Sequence, residues 1–206
     1  MAAPANKNIK DLNGKWIINK THSDSTDPVL ALQGIGWMTR KALGLATVTL
    51  HTKMYTKTPE DNAAAGDVIH IDIDQFATGG VKGTSEHRAL DWKYRPHSDW
   101  LFGELQGRSR LTTLDAVRKE AREEGGTKAS DAEYVTEGFL AETEGGETIE
   151  SWVDNEGKKW TGWQIWGFAT VNGERWLVRK FAIRRKDKDE VVKVRLCYEW
   201  AGELDS

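Results

Sequence analysis

His70, Asp72 and Asp74 occupy alternate positions, so on a β-strand their side chains share one face while Ile69, Ile71 and Ile73 share the other. An imidazole beside carboxylates can bind a metal ion or move a proton. Nothing in the sequence supplies the further histidine or cysteine cluster that a metal would want, so no metal site is expected. The face is then either a solvated outer wall or a polar inner wall on which His70 or Asp72 acts as acid or base. Nucleophilic catalysis finds no Gly-x-Ser-x-Gly turn, and Cys197 lies mid-strand among large residues. Gly79-Gly80 and Gly125-Gly126 lack the lysine and spacing of a phosphate loop. Aromatic residues are the more distinctive resource. The chain holds ten tryptophans, and Trp152, Trp160, Trp163, Trp166 and Trp176 fall in three consecutive expected strands. Flat, rigid rings either fill a barrel interior or line a pocket for aromatic ligands. Trp166 and Phe168 share a strand face, with Trp163 on the opposite one.

These side chains must be held by strands and one helical hairpin. Residues 28–50 read as two short helices, about 27–33 and 36–45, split by Gly34 and Gly36 and running into a strand. Asp27 suits the N-cap and Pro28 the first turn, and Gly34 suits the end of the first helix. Ile35, Met38, Ala42 and Leu45 form one apolar stripe, with Arg40 and Lys41 elsewhere. A lone helical hairpin in a β-rich chain is expected to lie as a lid over a barrel mouth, with a cavity beneath it.

Strands are expected over 13–19, 47–55, 68–76, 84–92, 100–111, 147–153, 159–169, 175–185 and 191–200, with a polar loop over 59–66. Asn172-Gly173 favours the tight turn that strand twist requires. Antiparallel strands in such number imply a closed barrel without exposed edges. Residues 113–146 interrupt the pattern. Leu114, Val117 and Ala121 make a thin apolar stripe that ends at Gly125-Gly126, and Ser130 with Glu133 could open a second helix as a capping box. This insertion reads as a solvated surface excursion, or alternatively as a second lid or an oligomer contact.

Composition narrows the function. Length, 206 residues, fits one domain, 1–206, with an insertion. A net charge of −3 with interleaved signs offers no face to nucleic acid or anionic membrane. The single cysteine excludes an internal disulfide, and neither a signal-length apolar run nor a membrane-length one is present. A cytoplasmic protein is expected. The residues leave its oligomeric state open.

Gly34-Ile-Gly-Trp-Met-Thr-Arg-Lys41, preceded by Asp27 and followed by Thr47-Val-Thr-Leu50, resembles the helix-turn-helix cap of the intracellular lipid-binding proteins, the fatty-acid-binding branch of the calycins. Gly14-Lys15-Trp16 resembles the Gly-x-Trp of the first calycin strand, and Val194-Arg-Leu-Cys-Tyr-Glu199 the Arg-x-Tyr-Glu ending of the last. Together these cover roughly 10–110 and 147–201, and the whole is also similar to fungal lipocalin-like proteins. The resemblance implies a mainly β, up-and-down calycin or lipocalin-like barrel capped by a helix-turn-helix lid. It further implies a carboxylate clamp of arginines and a tyrosine, from which this chain departs. Arg195 and Tyr198 are three apart and so on opposite faces, Leu196 takes the expected arginine position, and the other arginine position falls near Phe168. The cavity is therefore expected to be more aromatic and less cationic than the family's.

The function so implied is binding of a hydrophobic small molecule, neutral or aromatic, without a cofactor. The candidate contacts are Trp37, Arg40, Trp163, Trp166, Phe168, Tyr198, His70 and Asp72. The alternative is a cofactor-free cyclase or isomerase, such as a pericyclase, because fungal lipocalin-like proteins of secondary metabolism include such enzymes. Orientation and a few hydrogen bonds suffice for that chemistry.

Overall fold

Ten antiparallel strands, counted among the described residues, wind into a nearly closed barrel in the computed structural model, which describes residues 2–58 and 66–205. In chain order they are β1 (Gly14–Ile18), β2 (Thr49–Lys57), β3 (Val68–Ala77), β4 (Val81–Ala89), β5 (Arg95–Asp99), β6 (Gly103–Thr112), β7 (Thr148–Asn155), β8 (Trp160–Val171), β9 (Glu174–Arg185) and β10 (Val191–Gly202). The loop expected over 59–66 lies, except for Gly66, outside the described residues. The sheet runs β4-β3-β2-β1-β10-β9-β8-β7-β6-β5, so the first and last strands of the chain pair and only the β4 to β5–β6 seam lacks a ladder. A bridge between Asp91 and Arg110, with Trp92 N donating to Ser109 O at 2.9 Å, closes part of that seam. The strand expected over 100–111 is β6, and it is preceded by β5, a short strand over Arg95–Asp99 that the sequence pattern did not mark. Asp99 accepts from the backbone N–H groups of Leu101 and Phe102, and Gly103 takes a φ of 73° to complete the turn.

The closed end is a plug of large apolar side chains. Trp16, Ile71, Ile73, Ile149, Trp166, Phe168, Leu177 and Tyr198 pack together, and the N-terminal segment covers them with Ile9 and Leu12. Trp16 donates from Nε1 to Leu12 O at 2.9 Å and meets Trp200 edge-on at 5.0 Å. Gly14 explains its place in Gly-x-Trp: its φ is 127°, and a Cβ there would come within 2.1 Å of the Trp200 ring.

The helical hairpin comprises α1 (Asp27–Leu32) and α2 (Trp37–Leu45). Two local expectations need correction. Thr26, not Asp27, is the N-cap residue, without a side-chain bond; Asp27 instead accepts from Arg40 Nε at 3.1 Å. The apolar stripe of α2 does not face a core. The helix buries no side chain, and Met38 and Leu45 are 78% and 85% exposed. Polar anchors hold it across the open mouth: Arg40 reaches Asp27 and Ile35 O, and Lys20 Nζ donates to the last carbonyls, those of Gly44 and Leu45.

The insertion folds as α3 (Leu114–Glu124), α4 (Gly126–Thr136) and the single turn α5 (Ala141–Glu144). The start expected at Ser130 is four residues late, because Gly125 at φ 72° ends α3 and α4 begins at once. Leu114, Val117, Ala121, Ala132 and Val135 are buried against Trp163, Ile165 and Ala182 on the outer wall of β8 and β9. Arg184 clamps α4 through both oxygens of Asp131 at 3.0 Å. Far from being a solvated excursion, the insertion is a second packed layer on the side of the barrel. Among the described residues, no helix is long and apolar enough to cross a membrane.

Candidate functional site

Strand alternation decides what faces inward. On β8 the inward set is Trp160, Gly162, Gln164, Trp166 and Phe168; on β9 it is Leu177, Arg179, Phe181 and Ile183. Between the plug at the closed end and the helical lid these faces enclose a cavity of about 1050 Å³. Leu30, Leu105, Val153, Trp160, Phe181 and Ile183 supply apolar wall toward the mouth.

A polar cluster stands on the cavity wall. Glu86 on β4 receives two guanidinium bonds from Arg88, Nε at 3.1 Å and Nη2 at 2.6 Å, and one from Gln75 Nε2 at 2.9 Å. Arg179 Nη2 lies 4.0 Å from the same carboxylate. Burial works to raise the Glu86 carboxyl, yet the Arg88 and Arg179 guanidiniums overcome it and hold the group down at about 2. Glu86 is thus a carboxylate at neutral pH, 21% exposed on its side chain. Arg179 stacks on Trp166 at 4.1 Å, as the register directly opposing the two residues requires, and donates to Gln164 Oε1 from Nε at 3.2 Å and Nη2 at 2.8 Å. Trp166 Nε1 donates to the same oxygen at 2.7 Å. Arg88 Nη1 reaches Ser109 Oγ at 3.2 Å, which pairs with Ser151 Oγ at 2.8 Å. Two cations and one anion leave the cluster an excess positive charge in an enclosed site. Burial pushes the Tyr198 phenol above its usual range, with Arg179 pulling the other way, so it is a neutral hydroxyl at physiological pH.

This arrangement overturns one expectation. The cavity is not poorer in cations: Arg88 and Arg179 both line it, supplied by β4 and β9 rather than by the last strand. Neighbouring Leu177, Phe181 and Ile183 do carry a signal in the sequence, since Arg179 interrupts an otherwise apolar strand face. Gln164 carries the same kind of signal, as the one polar side chain in Gly162–Ala169, whereas Glu86 and Arg88 carry none, because charged residues in i, i+2 positions are ordinary on solvated strands.

The residues nominated from sequence scatter. Tyr198 and Arg40 line the cavity. Trp166 and Phe168 point inward but belong to the plug beneath it, and Arg179 lies between Trp166 and Tyr198. Trp37 is 62% exposed on the lid and is not part of the wall. Trp163 is on the outer face under α3 and α4, where its Nε1 donates to Glu150 at 2.9 Å. His70 stacks on Tyr55, and Asp72 pairs with His87 Nδ1 at 2.9 Å, both on the outer face of β3. Arg195 and Tyr198 do point to opposite faces, Arg195 bonding outward to His22 O and Leu196 lining the cavity.

Comparison with known proteins places this geometry. Among solved structures, a Schistosoma mansoni fatty acid binding protein in complex with arachidonic acid superposes with a TM-score of 0.50 at 12% identity, covering 95% of this chain and 100% of that one. Fatty-acid-binding protein 1 of Echinococcus granulosus gives 0.50 and 12%, over 93% and 98%. At such identity the likeness concerns the fold alone, the calycin barrel of the fatty-acid-binding proteins. No family profile matches the chain. Two curated relatives match over nearly their whole lengths. Pericyclase pydY of Acremonium sp is 28% identical over 205 residues, 98% of each chain. The probable pericyclase scpY of Mollisia scopiformis is 30% identical over 201 residues, 98% of this chain and 95% of the relative. Identity of that extent from end to end makes this calycin barrel a member of the family to which the Mollisia scopiformis probable pericyclase belongs.

Proposed function

We propose that the protein is a cofactor-free pericyclase that encloses a hydrophobic substrate in the barrel cavity and folds it into a reactive shape. The observation that carries the reading is the polar cluster of Glu86, Arg88, Arg179 and Gln164 on the wall of an otherwise largely apolar cavity. A pericyclic step shifts electrons around a closed ring and neither adds nor removes atoms. It therefore asks the protein for shape, exclusion of water and hydrogen bonds to charge that develops on the substrate. The apolar wall near Trp160, Phe181 and Ile183 supplies the first two. The guanidiniums, held by Glu86 and Gln164 before any substrate arrives, supply the third without reorganising. Tyr198, Arg40 and the floor formed by Trp166 are the nominated residues best placed to meet the substrate. A lone, buried Cys197 suits a cytoplasmic setting.

A carrier of hydrophobic small molecules is the second reading, favoured by the lid helix α2, which buries no side chain fully and is tied over the mouth by polar anchors. One experiment separates the two. The purified protein is incubated with a metabolite extract of its own host, with heat-denatured protein as control. Chromatography with mass detection is expected to show one constituent converted to an isomer of equal mass that has lost conjugated-polyene absorbance. Constituents retained by the protein but recovered unchanged would leave the carrier.

A further inference from the structure

The side chain of Gln164 is fixed in one orientation, and that orientation has a consequence for the substrate. Trp166 Nε1, Arg179 Nε and Arg179 Nη2 all converge on one of its terminal atoms, at 2.7, 3.2 and 2.8 Å. Indole and guanidinium groups can only donate, so the atom they meet is the amide oxygen and the other terminal atom is the nitrogen. Among the described residues that nitrogen donates to none, and it is not among the buried polar atoms left without a partner. Gln164 lines the cavity. Its two N–H bonds are thus the unspent donors of a group whose own acceptor is held by a cation and an indole, and both of those donors polarise the amide further.

We propose that Gln164 presents its carboxamide nitrogen to the cavity as a fixed donor for a carbonyl oxygen, which makes the substrate a hydrophobic molecule bearing a carbonyl conjugated with its reacting double bonds. The inference rests on the pericyclase reading and adds to it the substrate class and the donor. A hydrogen bond to such a carbonyl strengthens as electron density moves onto oxygen in the transition state, so it lowers the barrier more than it tightens binding of the ground state. Arg179, which also lines the cavity itself, fixes the amide by holding its oxygen. Glu86 in turn holds the guanidiniums, so β4, β8 and β9 set one amide plane between them.

The test uses two rigid aromatic probes of nearly equal shape, 9-fluorenone and fluorene, which differ by the carbonyl. Calorimetry on the full chain is expected to show fluorenone binding roughly five- to tenfold more tightly than fluorene, and the infrared carbonyl stretch of bound fluorenone is expected to move to lower wavenumber. Gln164→Glu keeps the acceptor for Arg179 and Trp166 but has no N–H, and Gln164→Met keeps the length with neither group. Both should lose the preference and the shift, whatever their affinity for fluorene. Preference and shift persisting in either variant would overturn the inference. So would an unshifted stretch in the unaltered protein, whether or not the variants fold. If neither probe binds the unaltered protein, the cavity reading itself fails; fluorene binding without preference for fluorenone removes only the carbonyl donor.

Discussion

Glu86 lies between two guanidiniums, and removing its charge leaves both facing one another in an enclosed site. Glu86→Gln is therefore expected to lower the unfolding free energy by roughly 3–5 kcal/mol at pH 7, the usual cost of breaking a buried ion pair from one side. The carboxyl of the folded protein titrates near 2, below its ordinary 4.5. Its contribution is thus fully present above about pH 4.5 and is lost as the pH falls toward 2. Urea titrations at pH 7 and pH 3 should show the unaltered protein losing more stability across that interval than the Gln variant. Equal losses would mean that the acid sensitivity arises elsewhere. Trp166 supplies a second readout at this scale. Its ring stacks on Arg179 at 4.1 Å and its Nε1 bonds Gln164, so Arg179→Met should change tryptophan emission while leaving far-ultraviolet circular dichroism intact. An unchanged emission spectrum would place the cation off the ring.

The two helical elements differ in how they are attached, and that difference can be measured. α2 buries no side chain and holds Gly44 within it, which costs about 1 kcal/mol relative to alanine; α1 buries Leu30 and Leu32. Amide hydrogens of 37–45 should exchange faster than those of α1, and both faster than those of β8 and β9, with α2 slowing when fluorene occupies the cavity. Uniform protection across lid and barrel would exclude α2 as the gate. α3 behaves oppositely. Leu114 is wholly buried on the outer wall, so Leu114→Ala should cost roughly 2–5 kcal/mol and leave fluorene affinity unchanged, because the helix backs the wall without lining the cavity. A large loss of affinity at unchanged stability would make the insertion part of the site.

Barrel closure belongs to the whole molecule. β1 pairs with β10, and the plug around Trp16 joins the two ends of the chain through the N-terminal segment, where Ala3 N donates to Arg175 O and Arg175 returns bonds to Pro4 O and Lys7 O. Trp16→Ala removes a fully buried indole and its bond to Leu12, and should cost roughly 3–5 kcal/mol. Thermal melts with and without fluorene check it. A drop in melting temperature confined to the far end of the barrel should leave the ligand-induced rise nearly intact, since the plug lies beneath the cavity. Loss of that rise along with the stability would show that plug and cavity form one cooperative unit.

Local sequence settled a good deal. The alternation of Ile69, Ile71 and Ile73 with His70, Asp72 and Asp74 marked β3, Asn172-Gly173 marked the β8–β9 hairpin, and Gly34 with Gly36 marked the break between α1 and α2. The opposition of Arg195 and Tyr198 followed from spacing alone. Each of these depends on residues a few positions apart, whose mutual placement the backbone dictates. The cavity does not work that way. Glu86 and Arg88 meet Arg179 and Gln164 only because the barrel nearly closes on itself and because register sets Trp166 opposite Arg179. Alternation says that two faces of a strand differ, but which face is interior depends on the curvature of the whole sheet. The same is true of the helices. The stripe on α2 and the stripe on α3 look alike in sequence, yet the first lies over an open mouth and stays exposed while the second meets Trp163 and Ile165 and is buried. An apolar face is a property of the chain; what covers it is a property of the packed molecule.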